Sequence, residues 1–352
     1  MRIAITRRDY ITNLDGVNKF VFNLADGLNK LGHEVHVVSY ASGSNSVSNI
    51  ASYAKTFFDF EGKIQIHSLT PTSTCGLNSY IALFWLLYGS RLINKLDIDV
   101  CILNGIVPLN TKTVKIAVNH GIFTGSFPRA NHVKQRVYLQ IAKSLYLHGV
   151  DLTVCVSSKL QKELKKLLNI ESTVIPLPLK LHLYKNEPFE KRHSLVLHIG
   201  TRHSKNVEIS IQSVKILNEK CYPNVKLIVI GSRNAYVENL TSKYKDMMAH
   251  AKVLMLPSWY ETFSYVVLEA FASGLPVVVS SAVPSELVKN EYNGFRLHSY
   301  EPGPYAEKIK TLLNDDNIWS SISKNALKTA SEYSHIKVAW CYQHTIQSLL
   351  RR

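Results

Sequence analysis

Short apolar runs alternate with amphipathic stretches along the chain, and their order predicts an α/β protein. Residues 2–6 alternate in polarity and read as a first strand. A helix follows over 18–31, opened by Asp15-Gly16-Val17, with Phe20, Val21, Leu24, Leu28 and Leu31 on one face and Gly32 as its stop. Residues 34–39 then form a second strand, which completes a βαβ unit. Further apolar runs at 63–68, 100–103, 114–118 and 152–156 are expected strands, and 79–96, 129–147 and 157–169 expected helices. The stretch 45–62 reads as a loop. Residues 174–192, rich in proline and then in charge, read as an interdomain linker. The alternation restarts beyond it: strands at 194–199, 225–230 and 252–256, helices at 207–218 and 243–251, and a short edge segment at 236–240. Helices are also expected from 286 to 294 and over 305–314, 319–333 and 336–350.

At 352 residues the chain exceeds what one core usually supports, so two domains are expected. The net charge of +15 points to acidic partners: nucleic acid, a nucleotide-sugar diphosphate or an anionic lipid surface. No zinc-finger, RNP-like or basic-aromatic repeat favours nucleic acid. The five cysteines, Cys75, Cys101, Cys155, Cys221 and Cys341, are widely spaced without a C-x-x-C pair, so they are expected reduced and buried. His193, His198 and His203 recur every five residues and match no metal-ligand pattern. The chain opens directly on a strand, and its longest apolar run, 80–88, is about half of what a bilayer span needs. A cytoplasmic location is therefore expected. That run reads as a buried core helix, with contact to a membrane surface the alternative.

The most informative stretch is 256–280, LPSWYETFSYVVLEAFASGLPVVVS: a strand end, a turn, a short helix, a glycine stop and a second strand. The helix is apolar on every side except at Glu269, so a carboxylate is expected in a buried place, where it needs hydrogen-bond donors. Glu261 lies eight positions earlier, about two helical turns, at or before the helix start. The free N–H groups at Thr262, Phe263 and Ser264 between them suit a phosphate. Two carboxylates bracketing an anion-binding turn can accept hydrogen bonds from sugar hydroxyls while the turn holds the phosphate. The structural alternative makes Glu261 a helix N-terminal acid and Glu269 the partner of a buried arginine.

Glu261-x7-Glu269, followed by Ala270-Phe271-Ala272-Ser273-Gly274-Leu275-Pro276-Val277-Val278, resembles the E-x7-E signature of the retaining GT-B glycosyltransferases of family 4. The resemblance implies two doubly wound Rossmann-like domains facing across a cleft. It assigns 1–178 to the acceptor side, with 335–352 packing back on it, and 179–334 to nucleotide-sugar binding. It further implies that Glu269 binds the ribose and Glu261 the transferred sugar, whose phosphates meet the turn at Thr262 to Ser264. His120, in Asn119-His120-Gly121 past a strand end, is placed beside the sugar. The main chain near Val237 to Asn239 is placed at the nucleobase. The first βα turn of the family carries two glycines; this chain keeps Gly16 and has Asp15 in place of the other. After Gly200 the family has an arginine and then a lysine. This chain has Thr201 first, with Arg202 and Lys205 in a shorter loop, and two exposed loop cations are the structural alternative there.

The expected chemistry is transfer of a sugar from a UDP- or GDP-sugar to a glycan, lipid-linked or other hydroxyl acceptor. Arg202, Lys205 and the helix start would stabilise the departing diphosphate in place of Mg²⁺, so neither metal nor cofactor is expected, and no Asp-x-Asp motif is present. The basic helix at 129–147 is either a solvated face or a surface for anionic lipid or an acidic acceptor, which leaves peripheral attachment at the inner membrane face open. A non-catalytic nucleotide-sugar-binding subunit and a GT-B epimerase are the competing functions.

Overall fold

The computed structural model describes residues 1–10, 15–40, 52, 54–56, 58–60, 63–69, 84–105, 107–121, 140, 143, 144, 146, 148–220, 224–231 and 240–351. It divides into two compact units, Met1–Pro178 with His335–Arg352, and Leu179–Ser334.

The first unit is a seven-stranded parallel sheet in the order β3-β2-β1-β4-β5-β6-β7. Its strands are β1 (Arg2–Tyr10), β2 (Glu34–Tyr40), β3 (Ile64–Ser68), β4 (Val100–Asn104), β5 (Val114–Asn119), β6 (Leu152–Cys155) and β7 (Thr173–Val174). Strand β4 is buried along its whole length, as expected of a central parallel strand covered on both faces. Helix α1 (Gly16–Lys30) starts where the Asp15 carboxylate accepts the Asn18 N–H, and buries Phe20, Val21, Leu24 and Leu28 completely. Each such side chain contributes roughly 2 kcal/mol of burial. On α1 lies the C-terminal helix, α9 (His335–Leu350). Gly27 permits this approach, since a Cβ there would stand 2.5 Å from the His335 carbonyl oxygen.

The second unit is a five-stranded parallel sheet in the order β12-β11-β10-β8-β9. Its strands are β8 (His193–Ile199), β9 (Lys226–Ile230), β10 (Ala251–Leu256), β11 (Val277–Ser280) and β12 (Phe295–Leu297). Helix α4 (Val207–Lys220) follows β8, α5 (Leu240–His250) precedes β10, and α6 (Tyr265–Ala272) joins β10 to β11. Helices α7 (Pro302–Asn314) and α8 (Asp316–Glu332) close the unit, with Tyr305, Ile309, Leu312 and Trp319 in the same apolar core as Val196 and Val253. Earlier in the chain, α2 (Ser90–Lys95) and α3 (Ser158–Leu168) precede β4 and β7.

Four local expectations change. Residues 286–294 form turns, because the Asn293 side chain takes the Lys289 N–H and donates to the Leu287 carbonyl in place of a helical ladder. In the stretch read as a loop, residues 52, 54–56 and 58 are helical. Of the run read as a buried helix, Trp85 is buried, but Leu86, Leu87 and Tyr88 are 40%, 49% and 50% exposed on a π-helical turn that leads into α2. Cys101 and Cys155 are buried, whereas Cys341 is exposed on α9. Among the described residues no helix is long and apolar enough to cross a membrane.

Candidate active site

Open parallel sheets bind ligands beyond the carboxyl ends of their strands, where the strand order reverses. In the first unit that point lies between β1 and β4. Five polar side chains meet there. The Arg7 guanidinium, 7% exposed, donates to Asn18 Oδ1 at 3.1 Å and Asp15 Oδ2 at 2.7 Å. Asp15, standing in for a glycine, thus caps α1 and pairs with a buried cation in one side chain. Gly16 is the first residue of α1. At the end of β5, His120 lies 2.8 Å from Asn104 Oδ1, while Asn104 Nδ2 donates to the Thr6 carbonyl at 2.9 Å. The edge of Phe20 packs on the imidazole at 4.7 Å between ring centroids. Burial, reinforced by the Arg7 charge, pushes the His120 pKa down to about 3, so the ring is neutral at physiological pH.

In the second unit the strand order reverses between β8 and β10, and both expected loops emerge there. The β8 loop begins at Gly200, whose φ of +106° is a left-handed conformation that side chains rarely adopt. The aliphatic stem of Lys205 lies against it, so that a Cβ would meet Lys205 Cγ at 3.0 Å. His198, fully buried, ties the same loop down. Its Nε2 is 2.9 Å from the Gly200 carbonyl and its Nδ1 2.7 Å from Ser210 Oγ on α4. Since a carbonyl only accepts, Nε2 carries the proton and Ser210 donates to Nδ1. Desolvation holds the His198 pKa down at about 4.

The β10 loop brings Glu261 to this point. Lys205 Nζ donates to Glu261 Oε1 at 2.6 Å, and Ser258 Oγ donates to the same oxygen at 2.8 Å. Both members of the ion pair are largely shielded, with side-chain exposures of 19% and 9%. Arg202, by contrast, is exposed. Thr262 is half-buried, and Phe263 turns into the interior against Tyr333. Ser264, the residue before α6, has a φ of +119°, and its buried Oγ has no hydrogen-bond partner among the described residues. A non-glycine residue held in that region costs of order 1–3 kcal/mol.

Glu269 is 1% exposed within α6. Its Oε1 accepts the Tyr184 hydroxyl at 3.0 Å and its Oε2 accepts the hydroxyl of Tyr244 on α5. Burial, together with the negative charge of Glu269, raises both tyrosine pKa values well above the ordinary range, so both remain hydroxyl donors. A buried arginine does exist nearby, Arg192. It donates to the carbonyls of Glu187, Met248, Ala251 and Ser273 and to Asn186 Oδ1. Val237 and Asn239 lie outside the described residues.

The structure therefore brings Lys205, Glu261 and the α6 start together in one unit, and His120, Asp15 and Gly16 to one edge of the other. Sequence reasoning missed Arg7, Asn104, Tyr184, Tyr244 and Ser258. It noticed His198 without giving it a role, although a histidine inside the apolar run SLVLHIG was itself a signal.

Comparison with known proteins supplies the family. The Glycosyltransferase Family 4 model matches residues 14–182, and the Glycosyl transferases group 1 model matches residues 183–329. A Campylobacter jejuni alpha-1,4-N-acetyl-D-galactosaminyltransferase, named for an undecaprenol-diphosphate-linked glycan, is 22% identical over 359 residues, which cover 93% of this chain and 94% of that protein. Sucrose-phosphate synthase from Thermosynechococcus elongatus superposes with a TM-score of 0.73 at 15% identity, covering 100% of this chain and 99% of that one. HepE from Anabaena, solved in complex with UDP and glucose, gives 0.69 at 16% identity over 99% of this chain and 100% of its own. These likenesses, and two parallel-sheet α/β units of the observed strand order, establish the GT-B fold. The chain is a glycosyltransferase that belongs to the family 4, group 1 enzymes.

Proposed function

We propose that this enzyme transfers a sugar, with retention at the anomeric carbon, from a nucleoside-diphosphate donor to a hydroxyl on a glycan or lipid-linked acceptor. The observation that carries the reading is the convergence of Lys205, Glu261 and the α6 start where the strand order of the second sheet reverses. Breaking the bond between the anomeric carbon and the diphosphate leaves positive charge on the sugar and negative charge on the leaving group. Lys205 and the N–H groups ahead of α6 are suited to the second, and Ser264 Oγ, without a partner among the described residues, is a further donor beside them. Arg202, exposed on the same loop, is a second cation for the diphosphate. The Glu261 carboxylate accepts hydroxyls of the transferred sugar, and Glu269, whose oxygens accept from Tyr184 and Tyr244, takes those of the ribose by exchanging a tyrosine donor for a ribose hydroxyl. His120 meets a sugar hydroxyl at the edge of the first unit. In this reading the acceptor hydroxyl attacks on the face that the diphosphate leaves, and a phosphate oxygen takes its proton. No protein carboxylate need act as nucleophile and no metal is needed.

Uridine in the HepE complex and the undecaprenol-linked substrate in the name of the Campylobacter relative support a UDP-sugar and a lipid-linked acceptor. The exposed Leu86, Leu87 and Tyr88 support attachment at a membrane surface. The test is incubation with labelled UDP- and GDP-sugars and an acceptor panel, with the product anomer read by NMR. Transfer with the donor's anomeric configuration kept supports the proposal. An inverted product refutes retention, and tight binding without turnover would make the chain a donor-binding subunit.

A further inference from the structure

We propose that Asn104 is a positioning residue, one that locks His120 with its proton on Nε2 so that Nδ1 presents only a lone pair to the sugar. This rests on the reading that the β1/β4 edge of the first unit receives a sugar hydroxyl.

The Thr6 carbonyl can only accept, so the atom of Asn104 that lies 2.9 Å from it is the amide nitrogen. That orientation turns Oδ1 toward His120. Oδ1 can only accept as well, so the imidazole nitrogen 2.8 Å away must carry a hydrogen. Asn104 cannot relax out of this role. It is fully buried, and its backbone is in register with Arg7 of β1 on one side and Val118 of β5 on the other. Phe20 braces the ring from the side, 77° to its plane, so a ring flip would cost both the packing and the hydrogen bond. Among the described residues the charge that acts on the ring is that of Arg7, which is itself bonded to Asp15. A cation there opposes a second proton, so the neutral tautomer persists.

Two consequences follow for the reaction. The sugar atom that meets Nδ1 must bring its own hydrogen, which makes the contact selective for a hydroxyl or amide N–H over a deoxygenated position. His120 also has no proton to give at Nδ1, so it orients the sugar and does not act as a general acid.

Histidine labelled with ¹⁵N reads the tautomer directly, and the His120→Asn protein identifies the resonance. The expected spectrum has an N–H coupling at Nε2, none at Nδ1, and no change from pH 7.5 to about pH 5.5, well above the depressed pKa. A proton on Nδ1, or on both nitrogens, would overturn the proposal. Asn104→Asp places a carboxylate beside Nε2 and should favour the imidazolium. Transfer by that variant should be lost at pH 7 and regained as pH rises, a limb that wild type lacks over the same range. A pH profile like that of wild type would show that Asn104 does not act through His120. The tautomer is read on the wild-type protein and so stands even where the variant folds poorly. Full transfer by His120→Ala would instead remove the sugar-binding role, whatever the tautomer.

Discussion

The two groups assigned to the donor are bonded to each other, and that gives Glu261→Gln an unusual signature. Lys205 Nζ and Glu261 Oε1 are 2.6 Å apart. With an effective dielectric of about 20, the Coulomb attraction at that distance is roughly 6 kcal/mol. Most of it is offset by the desolvation of two largely shielded groups, which leaves a net of about 1–2 kcal/mol. A diphosphate must draw Lys205 from this partner and must also approach a carboxylate of its own sign. The glutamine variant removes both obstacles and keeps the side-chain volume and the Ser258 contact. UDP or GDP without a sugar should therefore bind about five- to thirtyfold more tightly to Glu261→Gln than to wild type. Turnover with the intact sugar donor should fall, because the acceptor for its hydroxyls is weakened. Calorimetric titration with the nucleotide and a steady-state transfer assay measure the two quantities on the same preparation. Weaker nucleotide binding, or turnover within a few-fold of wild type, would refute the coupling of Lys205 and Glu261 in donor binding.

Lys205→Ala should weaken nucleotide diphosphate binding by about 2 kcal/mol in the same titration, the range for loss of a charge-assisted contact; unchanged affinity would remove Lys205 from the site. Tyr184→Phe and Tyr244→Phe each leave one oxygen of the buried Glu269 without its hydroxyl donor, and each should lower unfolding free energy by about 1.5–3 kcal/mol in urea. Neutral substitutions there would mean that other groups satisfy the carboxylate. The pKa of His198 is lowered on folding, so the unfolded chain binds the proton first and stability falls as pH drops from about 6.5 toward about 4. Wild type should lose on the order of 3 kcal/mol more over that window than His198→Gln, measured as urea unfolding at each pH, and parallel curves would contradict the buried neutral tautomer.

Most of the architecture was legible because central parallel strands are covered on both faces and so read as continuous apolar runs, each followed by a helical period. The turns at 286–294 were not. Leu287 and Val288 look helical one by one, and only the side-chain bonds of Asn293 reveal the alternative. Glu269 was anomalous in an apolar helix, so its burial could be anticipated. Its tyrosine partners could not, since Tyr184 is 85 positions away and a tyrosine carries no mark of its partner. The same holds for Asn104, which ends an apolar strand and meets His120 only because β4 and β5 are neighbours. Asp15 looked like a departure from a glycine pattern. The structure shows what accompanies it: a buried arginine and a helix cap.

Glu269 is proposed to hold the ribose of a sugar nucleotide, and paired titrations with UDP, GDP and their 2′-deoxy forms decide whether it does. With the preferred base, loss of the 2′-hydroxyl should weaken binding by about tenfold or more in wild type, and Glu269→Gln should largely erase that difference. Equal affinity of wild type for the ribose and deoxyribose forms would take Glu269 out of ribose binding.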